Sequence, residues 1–147
     1  MNVLFQDKDV VENSDTIGRG RKSKFTETLN YSELSILLKK KFGVETALVQ
    51  NDWYGADFVA FHPDPAKDFF FWVQLKSRIT IKKQYMNRGN LCVAFKCEDH
   101  WCMIPHDTLV DIVPESWKQS KSWINKGFYH AASPNKDMMH KLEKYFV

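Results

Sequence analysis

At 147 residues the chain has room for one hydrophobic core, and its 44% apolar and 27% charged content excludes a largely disordered polymer. A net charge of +3 is too small to argue for nucleic acid by itself, so the placement of the basic residues matters more than their sum. No segment approaches the roughly 20 apolar residues of a membrane span. No leader pattern opens the chain, and an odd count of three cysteines speaks against a disulfide framework, so a cytoplasmic protein is expected.

Residues 1–24 show no helical or strand period. With Arg19, Arg21, Lys22 and Lys24 they read as a flexible basic arm, leaving 25–147 as a single domain. Asn30 followed by Glu33 has the spacing of a capping box, and Leu34, Ile36, Leu37, Leu38 and Phe42 then recur at helical spacing up to Gly43. The pattern predicts a helix over about 31–42, with a backward extension through Phe25 and Leu29 open. Strands are expected over 44–49, 57–61 and 69–75, the last two joined as a hairpin by the turn-forming stretch His62, Pro63, Asp64 and Pro65.

A further pair of strands is expected over 91–97 and 101–104, and a terminal helix over 137–146 on the spacing of Met138, Met139, Leu142 and Phe146. Residues 107–136, rich in tryptophan, read as irregular and fit either a dimer surface or an elaborated edge of the core. Cys97, His100, Cys102 and His106 match no common zinc spacing, and both cysteines fall in apolar runs where core filling is their ordinary role. His106 reads as a turn residue. The whole order, αβββ then ββ and α, belongs to the α/β class, a central mixed sheet flanked by helices.

Period-two alternation along the third strand puts Phe70, Trp72, Gln74 and Lys76 on one face and Phe71, Val73 and Leu75 on the other. A polar pair closing an otherwise apolar strand departs from the pattern of a strand buried on both sides. In an antiparallel hairpin turning near residues 63–67, Asp57 falls opposite Gln74. Asp64 would sit at the turn tip, on the order of 25 Å away at about 3.3 Å per residue, and is set aside.

A carboxylate and an amide oxygen on neighbouring strands, with a lysine two residues on, suit a hard divalent cation such as Mg2+ or Mn2+. Phosphodiester hydrolysis is the chemistry that uses such a combination. Each residue also has an ordinary reading: Asp57 as a strand-start aspartate after Gly55, Gln74 and Lys76 as a strand end entering solvent, Glu33 as the third residue of a capping box. Glu33 nevertheless shares the apolar stripe of its helix, where an unpaired carboxylate is costly.

The residues Gly55, Ala56 and Asp57, then Val73, Gln74, Leu75 and Lys76, resemble the signature of the PD-(D/E)XK nucleases, in which an acidic residue at a strand start precedes a (D/E)XK tripeptide on the next strand. The likeness spans about 31–78, and the interval from Glu33 to Asp57 is similar to that of archaeal Holliday-junction resolvases; the Gln-x-Lys variant is similar to small homing and restriction endonucleases. Ala56 stands where the family has proline, and Gln74 replaces its second acidic residue. The resemblance implies a restriction-endonuclease-like core and a catalytic set of Asp57, Gln74, Lys76 and Glu33. It also implies a metal held by Asp57, Gln74 and the Leu75 carbonyl.

DNA contacts are expected from Arg21, Lys22, Lys24, Ser77, Arg78, Lys82, Lys83 and Arg88, with Tyr85 available to stack on a base. A chain this short would gain specificity as a homodimer or on a branched substrate. The rival expectations are a nucleic-acid-binding module that keeps the fold without the chemistry, and an interaction protein whose basic residues serve solubility.

Overall fold

The computed structural model describes residues 19–50 and 55–147, the side chains of 19–25 excepted, so the side chains of Arg21, Lys22 and Lys24 lie outside the described part. The part of the expected arm over residues 1–18 lies outside the described residues. Helix α1 runs over Arg19–Phe42 and stops at Gly43, whose φ of +67° is the left-handed conformation that ends a helix. It therefore begins inside the expected arm and twelve residues before the expected start at Tyr31. Asn30 lies within it instead of capping it: between Gly20 and Asn30 no proline or glycine interrupts the chain, so the helix has no reason to begin there.

Strands β1 (Glu45–Leu48), β2 (Phe58–Phe61) and β3 (Phe70–Leu75) form an antiparallel meander. After β4 (Ile79–Lys82) the chain enters β5 (Leu91–Cys97), which pairs parallel with β3, and β6 (His100–Pro105) closes the sheet antiparallel to β5. The result is a mixed five-stranded sheet in the order β1-β2-β3-β5-β6. Helix α2 (His106–Ile112) and the short α3 (Glu115–Lys118) lead to β7 (Phe128–Ala131), which pairs with β4 as a separate two-stranded sheet. Helix α4 (Lys136–Leu142), capped by the Asn135 side chain on Met138 N, ends the fold.

Two layers cover the two faces of the large sheet. On one face α1 inserts Leu34, Leu37 and Leu38 against Phe58, Ala60, Val73, Cys92, Ala94 and Trp101. Hydroxyls pin the same helix to the sheet edge, Tyr31 to Thr46 at 2.9 Å and Ser35 to Thr46 at 2.5 Å. On the other face Val93, Phe95, Cys102 and Ile104 meet Ile79 and Ile81 of β4, Leu109 and Val110 of α2, and Trp117, Trp123, Met138 and Leu142.

The tryptophan-rich stretch read as irregular is thus the cover of the second face, with Trp117 and Trp123 buried in it. The alternation expected for β3 holds. Val73 belongs to the layer under α1, while Trp72 packs on the other side with Ala56, Tyr85 and Leu91. No helix among the described residues is long and apolar enough to cross a membrane.

Candidate active site

The site forms where β2 leaves its ladder with β3. Pairing ends at Phe58 opposite Val73, and the same register carried one step further sets Asp57 across from Gln74. One step beyond that, Leu75 would pair with Ala56, but the ladder has stopped. The Asp57 carboxylate takes its place: Oδ2 accepts from Leu75 N at 2.7 Å and from Gln74 Nε2 at 2.9 Å. Asp57 N meanwhile donates to Val73 O at 2.8 Å, and Asp57 O accepts from Val49 N at 2.9 Å. Charge-assisted bonds of this kind are about twice as strong as neutral ones, so the carboxylate is held in one orientation.

Gly55 makes this corner possible. Its φ is +73°, and a Cβ there would come within 2.7 Å of Tyr85 Cε1. The close approach seats the 55–57 corner on the Tyr85 ring, which is 4% exposed. Tyr85 is therefore a floor of the site and is not available to stack on a base. Above its ring lie Lys82 Nζ, 5.4 Å from the centroid, and Lys76 Nζ, 6.0 Å away, distances at which a cation is attracted to an aromatic face. The ring joins the Asp57 corner to the lysine that follows the Gln-x-Lys tripeptide.

Gln74 is 8% exposed, and its Oε1 is buried with no hydrogen-bond partner. An unsatisfied buried carbonyl costs about 1–3 kcal/mol. Rotating the amide would not cure this, because Oε1 would then face the Asp57 carboxylate, acceptor against acceptor. A carboxylate and an amide oxygen fit the oxygen preference of Mg2+, which keeps several waters for a phosphate, although Nε2 and not Oε1 is turned to Asp57, so placing both oxygens on one ion requires the amide to rotate. The donor set is lean: no group of three or more His, Cys, Asp or Glu side chains able to hold a metal occurs among the described residues.

Glu33 is not brought to this corner. Its Oε2 accepts from Trp101 Nε1 at 2.8 Å and pairs with Lys96 Nζ at 2.6 Å. Trp101 belongs to the layer under α1, whereas Gln74 alternates with Val73 and faces the opposite side of the sheet. Glu33 is neither the capping-box residue nor a fourth member of the Asp57, Gln74, Lys76 set; it fastens α1 to β5 and β6. Asp64 caps a single turn at the hairpin tip through Ala66 N, 3.0 Å away.

The expected DNA contacts separate in the same way. Ser77 and Arg78 are exposed between β3 and β4, and Lys82 leans over Tyr85. Lys83 instead stacks over Trp123 at 5.4 Å, and Arg88 is half-buried and partnered. Lys39, Lys40 and Lys41 occupy the last turn of α1, where cations oppose the helix dipole, and Lys39 pairs with Glu45.

Two histidines lie near the site: His130, which the sequence did not single out, and His106, read as a turn residue but found buried at the start of α2. His106 is fully buried and its Nε2 accepts from Lys82 N at 3.0 Å, which assigns the ring proton to Nδ1. Burial lowers its pKa to about 4, against a weaker upward pull from Asp107. His130 of β7 bonds Thr80 of β4 across the small sheet at 2.8 Å. The cysteines are inert core residues: burial raises Cys92 to about 12 and Cys97 to about 11, and Cys102 further in the same direction.

Comparison with protein-family models, with curated proteins and with solved structures finds no match for this chain.

Proposed function

We propose that this chain is a metal-dependent endonuclease that hydrolyses phosphodiester bonds in DNA, working in the cytoplasm on a restriction-endonuclease-like core of the PD-(D/E)XK kind. Asp57, Gln74 and the Leu75 carbonyl would hold Mg2+ or Mn2+, and Lys76 would work beside them. The observation that carries the reading is the buried, unpartnered Oε1 of Gln74 next to a carboxylate fixed by two N–H donors.

When bound, such an ion stabilises charge building on a phosphate and lowers the pKa of a coordinated water. The chain's own residues supply the rest. Asp57 presents a carboxylate that needs no reorganisation, because its contacts with Leu75 N and Gln74 Nε2 already fix it. Lys76 brings a positive charge and a proton-handling group to the same face of β3. Arg78 and Lys82 extend that positive charge along the entry to the corner, as phosphate contacts. A homodimer or a branched junction would provide the specificity that a chain of this length has little room to build.

The test is incubation of supercoiled plasmid and a synthetic four-way junction with the protein in Mg2+, in Mn2+ and in chelator, alongside Lys76→Ala. Metal-dependent cutting that disappears in the variant is expected; cutting that survives in chelator or in Lys76→Ala overturns the assignment.

One observation favours a second reading, a DNA-binding module without the chemistry. Glu33 is committed to Lys96 and Trp101, so only one carboxylate serves the corner. Calorimetry separates the two: DNA binding with no heat from millimolar Mg2+ or Mn2+ supports the module.

A further inference from the structure

Strands β4 and β7 pair Thr80 with His130, and the two side chains share the face turned away from Ile79 and Ile81. The hydroxyl of Thr80 has one hydrogen, which it donates to Arg78 O at 3.1 Å. The hydroxyl keeps that bond and also meets His130 Nδ1, 2.8 Å away, in the tautomer in which Nδ1–H donates to it. In that tautomer Nε2 is the nitrogen that gains or loses a proton. Thr80 is 2% exposed whereas His130 is exposed, so a rigid buried anchor orients an accessible imidazole.

We infer that Arg78, Lys82 and His130, anchored by Thr80, form a subsite for a backbone phosphate of the DNA strand, beside the candidate cleavage centre. The identity of that phosphate rests on the nuclease reading above. His130 is held below its usual pKa by burial first, and then by Lys82, Lys76 and Arg78 in that order. No carboxylate is among the groups acting on it. Its other near neighbours are Thr80 on β4 and the ring of Phe128 on its own strand, 5.0 Å away.

Lys82, Lys76 and Arg78 all disfavour a proton on His130, a repulsion that an anion bound between the imidazole and these cations relieves. In neutral His130 the Nε2 lone pair would face an anion. Once the surrounding cations are matched by a phosphate, Nε2 takes up a proton and becomes a second charged donor. Binding at this subsite is therefore coupled to proton uptake, and affinity rises as the pH falls through the range where His130 titrates. Lys76 links the two places, since it acts on His130 and also stands over the Tyr85 floor of the Asp57 corner.

The test follows the His130 ring by NMR across pH in the full chain, with chelator present so that nothing is cut. Three samples are compared: no additive, inorganic phosphate, and a short DNA duplex whose binding is monitored in parallel by fluorescence anisotropy. A rise in the His130 pKa with both phosphate and duplex is expected. The slope of log Kd against log salt for the duplex should fall by about 1 in Lys82→Gln, and by a similar amount in Arg78→Ala, whose exposed side chain can be removed without disturbing the core.

A His130 that ignores both phosphate and a demonstrably bound duplex overturns the subsite while leaving the cleavage reading in place. A response to phosphate but not to bound duplex overturns the assignment to the DNA strand. Failure of the duplex to bind at any salt concentration removes the nuclease reading and this inference with it.

Discussion

Gln74→Glu would place a second carboxylate beside Asp57, as in the PD-(D/E)XK signature that the sequence resembles, and the contacts of Gln74 set what it should cost. At present Gln74 Nε2 donates to Asp57 Oδ2 at 2.9 Å. The substitution removes that donor, and a hydrogen bond to a charged group is worth about 1.5–3 kcal/mol. It also sets a second carboxylate against the first in a nearly buried position, where two like charges about 4 Å apart repel by up to roughly 4 kcal/mol before one takes up a proton. A net loss of roughly 3 kcal/mol in chelator follows, which lowers the Tm of a domain of this size by about 6–12 °C.

A divalent cation reverses the sign, because two carboxylates and a carbonyl make a better hard-cation site than one carboxylate and an amide. At about 100 times its dissociation constant a ligand adds about 2.7 kcal/mol, enough to recover most of the loss. Thermal unfolding followed by circular dichroism, in chelator and then in Mg2+ or Mn2+, reads both effects. The variant should melt well below the parent in chelator and regain most of the gap with metal, whereas the parent should respond less. Two variants of the outcome refute the reasoning: equal stability in chelator, meaning that the side chains do not meet, or a loss that no divalent ion repairs.

Glu33→Gln should cost about 1 kcal/mol, because the contact with Trp101 Nε1 survives on the amide oxygen while the half-exposed pair with Lys96 is lost; urea unfolding checks the cost. Plasmid cleavage should be unchanged in that variant, and a loss of cutting at full stability would return Glu33 to the catalytic set. His106 gives a pH signature. Its pKa falls from 6.5 unfolded to about 4 folded, so the unfolded chain binds the extra proton between those values. The stabilisation is complete above about 6.5 and drains away as the pH falls toward 4, by on the order of 3 kcal/mol. Urea midpoints across this range should drop more steeply for the parent than for His106→Gln, which keeps an acceptor for Lys82 N but does not titrate; parallel curves would show that His106 is not buried as a neutral ring.

What the sequence made legible was what local pattern controls. Leu91–Cys97 came out with its observed limits because six apolar residues, interrupted only by Lys96, run between turn signals. The hairpin register followed from the turn residues, and with it the meeting of Asp57 and Gln74. Strands β4 and β7 escaped for physical reasons. Ile79, Thr80, Ile81 and Lys82 alternate over only four residues, too short a run to mark a strand, and their partner lies beyond β5, β6 and α2. Glu33 was open to misreading because a carboxylate on an apolar stripe demands a partner, and its partners stand on strands far along the chain. Lys83 was read as part of a DNA-facing loop, but the strand it follows turns its side chain toward Trp123.

Asp57 shows why a structural and a catalytic reading of one residue need not compete. Its carboxylate completes the strand ladder that the Gly55 corner interrupts, and the bond it receives from Leu75 N is one that any folded state of this hairpin needs. That same bond removes rotational freedom from the group that would face a metal, so the fold has already met the entropic cost of orienting the ligand. Gln74 lies on the other side of this balance. Its amide satisfies Asp57 with one end and leaves the other end unsatisfied in the interior, a cost of about 1–3 kcal/mol that folding alone gives no reason to retain. A glutamate would serve a metal better and the resting fold worse, and a leucine would do the reverse. Glutamine at this position is intermediate between the two demands, the compromise expected if the proposed metal site has to fold without an ion and then accept one.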